Sequence, residues 1–228
     1  MGRTEARFLT PGEVLALAGA METLAPHWSP LVLFLADTAL RIGELAGLRV
    51  ADVDLGTGTV TVARNAVEVE GHIAIGEPKT AAGRRVVPTL TDDTARALAV
   101  RVGRLGLGAH DPLFAGPDGG ILRASAFRAR VWYPAVVRAG LSAPRPTPHS
   151  LRHSAIAAWI AVGVVDPLKL ARWAGHRDVS TIYRFYGHLL PCDGAAERAA
   201  LAELRHAARP GSALRHELAM PRELAEGG

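Results

Sequence analysis

The chain is poor in cysteine, lysine, aromatic residues and long apolar runs, and each shortage narrows what it can be. Cys192 is the only cysteine in 228 residues, which excludes an intrachain disulfide framework and a cysteine-based metal cluster. It follows Pro191 and reads as an incidental residue. No apolar run reaches the length of a membrane span, and the opening residues MGRTEARFLT lack the apolar core of a signal peptide, so a cytoplasmic location without membrane partners is the default expectation. Aromatic residues make up 5% while apolar residues reach 49%, a balance that suits closely packed, alanine-rich helices around a globular core.

The lysine shortage is the most informative. Of 26 basic residues only Lys79 and Lys169 are lysines. Where almost every cation is an arginine, a lysine suggests a need for an amine, because an amine can give up its proton as a general acid and a guanidinium effectively cannot. The net charge of +4 is modest, but its distribution is uneven. Between Leu122 and Leu190 there are ten basic residues against Asp166 and Asp178, a surplus of eight that leaves the rest of the chain at minus four. A positive field gathered on one segment favours a polyanionic partner such as nucleic acid.

That segment also holds the densest cluster of chemically useful side chains, from Thr147 to His188. Thr147 is a suitable N-cap and Pro148 suits the first helical position. Leu151, Ala155, Ala158, Trp159 and Val162 keep the spacing of one buried helical face, which places His149, Arg152, His153 and Ile156 on the other. His149 and Arg152 stand one turn apart at the helix N-terminus, where free N–H groups and the macrodipole favour an anion such as phosphate. Asp166-Pro167 opens a second helix, and Gly175-His176 closes it. A third short helical run ends at Tyr186-Gly187-His188, with Gly187 expected as a left-handed terminator.

Ahead of this cluster, Thr10-Pro11-Gly12-Glu13 is a capping box that opens a helix to about Met21, and the apolar run Leu31 to Leu40 leads into TALRIGELAGL, with Arg41 and Glu44 three apart. Thr59–Val62, His72–Ile75 and Arg85–Pro88 read as strands of one small antiparallel sheet, with Lys79 in the hairpin between the last two. Thr91 to Arg104 and Leu122 to Ala139 read as helices, the latter basic, separated by a Gly-, Asp- and Pro-rich loop. Beyond Leu190 an Ala- and Glu-rich helix is expected from about Ala195 to Ala208. The fold class is therefore α+β, mainly helical with a small antiparallel β-sheet.

The succession H-x-x-R at His149–Arg152, Gly175-His176, and Y-x-H at Tyr186–His188, ten residues past His176, resembles the tyrosine recombinase (phage integrase) family. TALRIGELAGL resembles the box that holds that family's first active-site arginine, although Ala39 stands where glycine is usual. PKTAAGRRVVP resembles the hairpin that carries its catalytic lysine. The resemblance runs from about Arg7 to Leu190. It implies a DNA breaking-rejoining catalytic domain over residues 10–190, after a lead-in of 1–9. The tail of 191–228 would be helical and exchanged between protomers. The N-terminal helical domain with which members clamp the other face of the DNA has no counterpart in Met1 to Ala6. By the same resemblance the partners are double-stranded DNA, a homotetramer on two DNA sites, and accessory DNA-bending proteins.

The implied chemistry needs no cofactor and no metal. A tyrosine attacking a phosphodiester requires donors for the charge developing on the non-bridging oxygens and a proton for the departing 5′-oxygen. Arg41 and Arg152 supply bidentate forks, while His149 and His176 donate hydrogen bonds or move protons. Lys79 is the candidate acid and Tyr186 the candidate nucleophile, with Glu44 as a supporting acidic residue. Two rival readings are a DNA-binding module without turnover and a zinc hydrolase using His149 and His153, four apart on a helix as in H-E-x-x-H. In the latter Ser150 stands where the base should be and Arg152 would sit beside the metal.

Overall fold

The computed structural model describes residues 7–77, 83–141, 143–191 and 194–207. Residues up to Leu189 form one compact unit, and those from Leu190 belong to a second, which among the described residues consists of helix α10 (Ala195–Ala207). No helix among the described residues is long and apolar enough to cross a membrane.

The first unit is built on helices α1 (Pro11–Leu24), α2 (Ser29–Thr38) and α7 (Pro148–Ala161). The capping box of α1 forms as expected: the Thr10 N–H donates to Glu13 Oε2 at 2.8 Å, and the Glu13 N–H to Thr10 Oγ1 at 3.2 Å. Leu17 and Met21 of α1 and Leu31, Phe34 and Leu35 of α2 are fully enclosed, and α2 packs on both α1 and α7. Trp159 of α7 donates to the carbonyl of Asp37 at 3.1 Å, and Ser154 Oγ receives the Leu9 N–H at 2.7 Å. The end of α2 is thus fixed against the middle of α7, which sets where the two arginine-bearing segments meet.

Helix α7 departs from the expected one-sided pattern. Arg152 and Ile156, placed by periodicity on the face opposite the buried one, are as enclosed as Leu151 and Ala155, whereas Ala158 is exposed and Val162, just past the helix end, is 79% exposed. The helix packs against both α2 and α8 (Pro167–Ala174), so Arg152 and Ile156 are interior, while His149 near its start stays exposed.

The strands also differ from the expected single sheet. Strands β1 (Val53–Asp54), β2 (Thr59–Val62) and β5 (Arg85–Val87) form one antiparallel sheet in the order β1-β2-β5, with Val60 opposite Val87 and Val62 opposite Arg85. Strands β3 (Asn65–Val69) and β4 (His72–Gly76) form a separate hairpin. The stretch 72–75 therefore pairs with an unanticipated strand, not with 85–87. Its two-residue turn has positive φ at Glu70 (48°) and Gly71 (78°), the mirror-image turn whose twist suits a hairpin, here built without the usual Asn or Asp. Lys79, expected between the last two strands, lies outside the described residues.

Helix α4 (Asp92–Leu105) starts from Thr91 as its N-cap. The expected basic helix of residues 122–139 begins later and is not regular. It runs as α5 (Ala124–Phe127), a π-turn over Arg128–Trp132, and α6 (Tyr133–Arg138). Pro134 has no N–H to give the carbonyl one turn back, and the widened turn, in which the Tyr133 N–H bonds to the Arg128 carbonyl, accommodates it. Gly187 is not left-handed, with φ of −55°. Helix α9 (Ser180–Tyr186) continues into a 3₁₀ turn over Gly187–Leu189.

Candidate active site

Four segments converge on one place: the junction of α2 with α3 (Ile42–Ala46), the N-terminal half of α7, the turn after α8, and the end of α9. The α2–α3 junction is shaped by Ala39, which adopts a left-handed conformation (φ 53°, ψ 23°) at the C-cap of α2. That geometry explains why glycine is usual in the resembling box. It turns the chain so that Arg41 becomes the N-cap residue of α3 and Glu44 lies in its first turn.

Glu44 is buried and held by two arginines. Arg41 gives it both its backbone N–H (Oε2, 2.9 Å) and Nη1 (Oε1, 3.0 Å), while Arg85 forms a two-pronged pair from Nη1 and Nη2, each at 2.9 Å. Burial alone would raise the Glu44 pKa, but the hydrogen bonds and charge of Arg85, with those of Arg41, hold it below the ordinary value. Arg85 also donates from Nε to the Trp173 carbonyl at 2.8 Å, and Arg41 from Nη2 to the Gly175 carbonyl at 3.2 Å. Both arginines therefore tie Glu44 to the turn that carries His176. That turn requires glycine twice over. Gly175 has φ of 69°, and a Cβ there would lie 2.6 Å from Arg85 Nη1.

Arg152 is 1% exposed. It donates from Nη1 to the Ala39 carbonyl at 2.6 Å, and its Nη2 is 3.2 Å from His176 Nε2. A guanidinium has no acceptor, so this contact makes Nε2 of His176 the accepting nitrogen. None of the hydrogen-bond partners of Arg152 among the described residues is a carboxylate. Burial, followed by the nearby charge of Arg41, lowers the Arg152 pKa to about 9. Burial and the same cationic surroundings lower that of His176 to about 3, so the imidazole is neutral.

The third group is aromatic. Tyr186 is 1% exposed, and its hydroxyl lies 2.6 Å from Nδ1 of His153. Burial raises the Tyr186 pKa to about 12, and burial with the neighbouring His149 lowers that of His153 to about 4. The rings of His149 and His153 meet edge-on at 4.8 Å. His149 stands at the exposed rim of the cluster, its pKa lowered by partial desolvation and by Arg152 and Arg41. Tyr183, one turn before Tyr186 on α9, is 57% exposed.

The structure thus brings together Arg41, Glu44, Arg152 and His176 through one network, and His149 and Tyr186 through His153. Sequence reasoning missed Arg85, although a charge at an inward-facing strand position in Arg85-Val86-Val87 is a signal that it needs a buried partner. It considered His153 only as a metal ligand. Among the described residues no group of three or more His, Cys, Asp or Glu could hold a metal.

With this arrangement in view, comparison with known proteins gives a consistent result. Residues 7–191 match the model of the phage integrase family. The chain belongs to the phage integrase family. A curated integrase/recombinase from Escherichia coli is 30% identical over 86% of this chain, which spans 64% of that relative's length. Among solved structures, the Tn1549 transposon integrase in complex with transposon right end DNA aligns with a TM-score of 0.71 at 23% identity, covering 89% of this chain and 67% of that one. The catalytic domain of bacteriophage HP1 integrase aligns with a TM-score of 0.58 at 20% identity, covering 86% of this chain and 95% of that domain. The mainly helical fold with small antiparallel sheets is that of a phage integrase catalytic domain.

Proposed function

We propose that this chain is the catalytic part of a site-specific DNA recombinase that cuts and rejoins strands through a covalent 3′-phosphotyrosine. The observation that carries the proposal is Arg152, a buried guanidinium whose hydrogen-bond partners are a neutral carbonyl and a neutral imidazole. A buried guanidinium that hydrogen-bonds only neutral groups among the described residues, with Glu44 acting on it through charge alone, keeps donors for a second anion, and a phosphodiester oxygen satisfies it with a planar, two-pronged fit. Arg41 reaches the same turn from the other side and has a half-exposed head to offer.

In the proposed reaction the Tyr186 hydroxyl attacks phosphorus and releases its proton to solvent, the bond to the 5′-oxygen breaks, and that oxygen takes a proton from Lys79. Arg41 and Arg152 bear the charge that develops on the non-bridging oxygens, assisted by His149 and His176. Glu44, with Arg85 behind it, positions Arg41. Burial first, and the surrounding cations second, keep the His176 imidazole neutral, so with Nε2 accepting from Arg152 its ring hydrogen on Nδ1 is the one it can donate. Religation is the same path reversed, with a 5′-hydroxyl displacing the tyrosine. The DNA complex of the similar Tn1549 integrase supports DNA as the partner, and the proposal extends to a tetramer on two sites with accessory DNA-bending proteins and to exchange of the tail of residues 191–228 between protomers.

The test is covalent trapping. Nicked duplexes taken from either side of the encoding locus release a short fragment on cleavage, and the protein should remain attached to the 3′-phosphate through Tyr186, as read by peptide mapping. Failure to form an adduct with any flanking duplex, under conditions where the chain binds DNA, would sink the proposal.

A further inference from the structure

His153 is the direct partner of the proposed nucleophile, yet the reaction above gives it no task. Its Nδ1 is 2.6 Å from the Tyr186 hydroxyl. The pair is walled in: Phe8 stands edge-on to both rings, at 6.1 Å and 73° from His153 and at 6.1 Å and 70° from Tyr186, and His149 closes on the other histidine at 4.8 Å and 90°. A tyrosine side chain has two torsions and one rotatable hydroxyl. Packing by Phe8 restrains the torsions, and the bond to Nδ1 restrains the hydroxyl.

We propose that His153 is the positioning residue of this site, its Nδ1 accepting the hydrogen bond of the Tyr186 hydroxyl and fixing the direction in which the phenol oxygen presents its lone pairs. The inference rests on the assignment of Tyr186 as nucleophile. The direction of the bond follows from the chemistry of the pair. In this enclosed setting the phenol keeps its proton and the imidazole is neutral, so the hydroxyl donates and the ring carries its own hydrogen on Nε2. The role assigned to His153 is orientation, carried by the 2.6 Å contact of its Nδ1 with the hydroxyl. Because His153 directly follows Arg152 on α7, the helix that places a guanidinium on the phosphate also sets the nucleophile's aim.

Two measurements on the full chain test this. The first needs no DNA. The chain has only three tyrosines, Tyr133, Tyr183 and Tyr186, so labelling the ring carbon bonded to oxygen gives three carbon-13 signals, and Tyr186→Phe identifies one of them. His153→Asn, which can place an amide atom where Nδ1 stood, should keep the Tyr186 signal near its wild-type position, whereas His153→Gln, whose amide reaches toward the Nε2 position, should shift it. The second is single-turnover adduct formation on the nicked duplex. His153→Gln should slow it by about ten- to a hundredfold with unchanged DNA affinity, a cost typical of a misaligned reacting group, and His153→Asn should recover most of the rate. Matching circular dichroism of the Asn and Gln variants removes misfolding as a cause.

A Tyr186 signal unmoved in both variants would overturn the proposal, as would a His153→Gln protein that cleaves at the wild-type rate. Faster cleavage would also overturn it, by making His153 a latch that restrains the tyrosine. If the wild type cleaves no flanking duplex, the proposed function fails and this inference with it, whereas a cleaving wild type with the Tyr186 signal unmoved in both variants overturns this inference alone.

Discussion

Arg85 grips both carboxylate oxygens of Glu44 at 2.9 Å, and the same carboxylate receives two hydrogen bonds from Arg41. The pair is buried, so removing Arg85 leaves the Glu44 carboxylate enclosed with half of its hydrogen bonds. Arg85→Ala is expected to cost about 3–5 kcal/mol in unfolding free energy. Arg85→Lys keeps the charge but loses the fork, and should weaken cleavage through a displaced Arg41 while sparing DNA binding. Urea unfolding and single-turnover cleavage measure the two effects. An Arg85→Ala protein as stable as the wild type would show that the pair contributes nothing to holding α3 against the His176 turn.

Ala39 pays a steric cost at φ of 53° that glycine would not. A left-handed non-glycine residue is disfavoured by about 1–2 kcal/mol, partly offset by the greater freedom glycine has in the unfolded chain. Ala39→Gly should therefore raise stability by about 0.5–1 kcal/mol, read as a higher thermal midpoint. A lower midpoint would mean that the buried methyl group, at 0% exposure, packs better than the backbone relaxes.

Acid should destabilise the protein in two stages. His153 and His176 have folded pKa values of about 4 and about 3, below the ordinary histidine value. The unfolded chain therefore binds protons first as pH falls below about 6.5, and stability declines from there toward pH 3. Glu44 has a folded pKa lowered from 4.5, so its contribution is complete above that value and is lost at lower pH as the carboxylate protonates. Urea midpoints measured from pH 8 to pH 4 should fall most between 6.5 and 4, and His153→Asn should flatten that slope. A midpoint constant down to pH 5 would contradict the buried, neutral state of these histidines.

Much of the site was legible because its residues lie in short local patterns. The Thr10–Glu13 capping box, the Thr91 cap and the Thr147-Pro148 helix start announce themselves within four residues. Arg41, Glu44, Arg152, His176 and Tyr186 stand in short motifs that resemble those of the family, and the structure brings the first four into one hydrogen-bonded network. What escaped depends on contacts distant in sequence. Arg85 acquires its meaning only by meeting Glu44, 41 residues away, and His153 only by meeting Tyr186, 33 residues away. Helix periodicity misassigned Arg152 and Ile156 because it assumes one broad wet face, and on α7 near its start only His149 is exposed. The β3–β4 hairpin escaped because its turn residues, Glu70-Gly71, are not the strongest hairpin pair.

Lys79 is tested by the leaving group and not by its surroundings. Replacing the bridging 5′-oxygen with sulfur provides a leaving group that needs no proton, so Lys79→Ala should be largely restored on that DNA while remaining slow on the ordinary duplex. Equal damage on both substrates would exclude Lys79 as the acid.

Tyr183 and Tyr186 lie one turn apart on α9 but differ sharply in environment. Tyr186 is enclosed, bonded to His153 and within the field of Arg152, whereas Tyr183 is more than half exposed. Attack requires an oxygen held in line beside the cations that stabilise the pentavalent phosphorus, and an exposed phenol that samples many rotamers does not meet that condition. Tyr186→Phe should abolish the trapped adduct while leaving DNA affinity nearly unchanged, because only one hydroxyl is lost and the ring stays packed against Phe8. Tyr183→Phe should form the adduct at close to the wild-type rate. Peptide mapping of the trapped species decides between them. An adduct on Tyr183, or one that survives in Tyr186→Phe, would move the nucleophile to the exposed face of α9 and leave the buried pair of His153 and Tyr186 as packing alone.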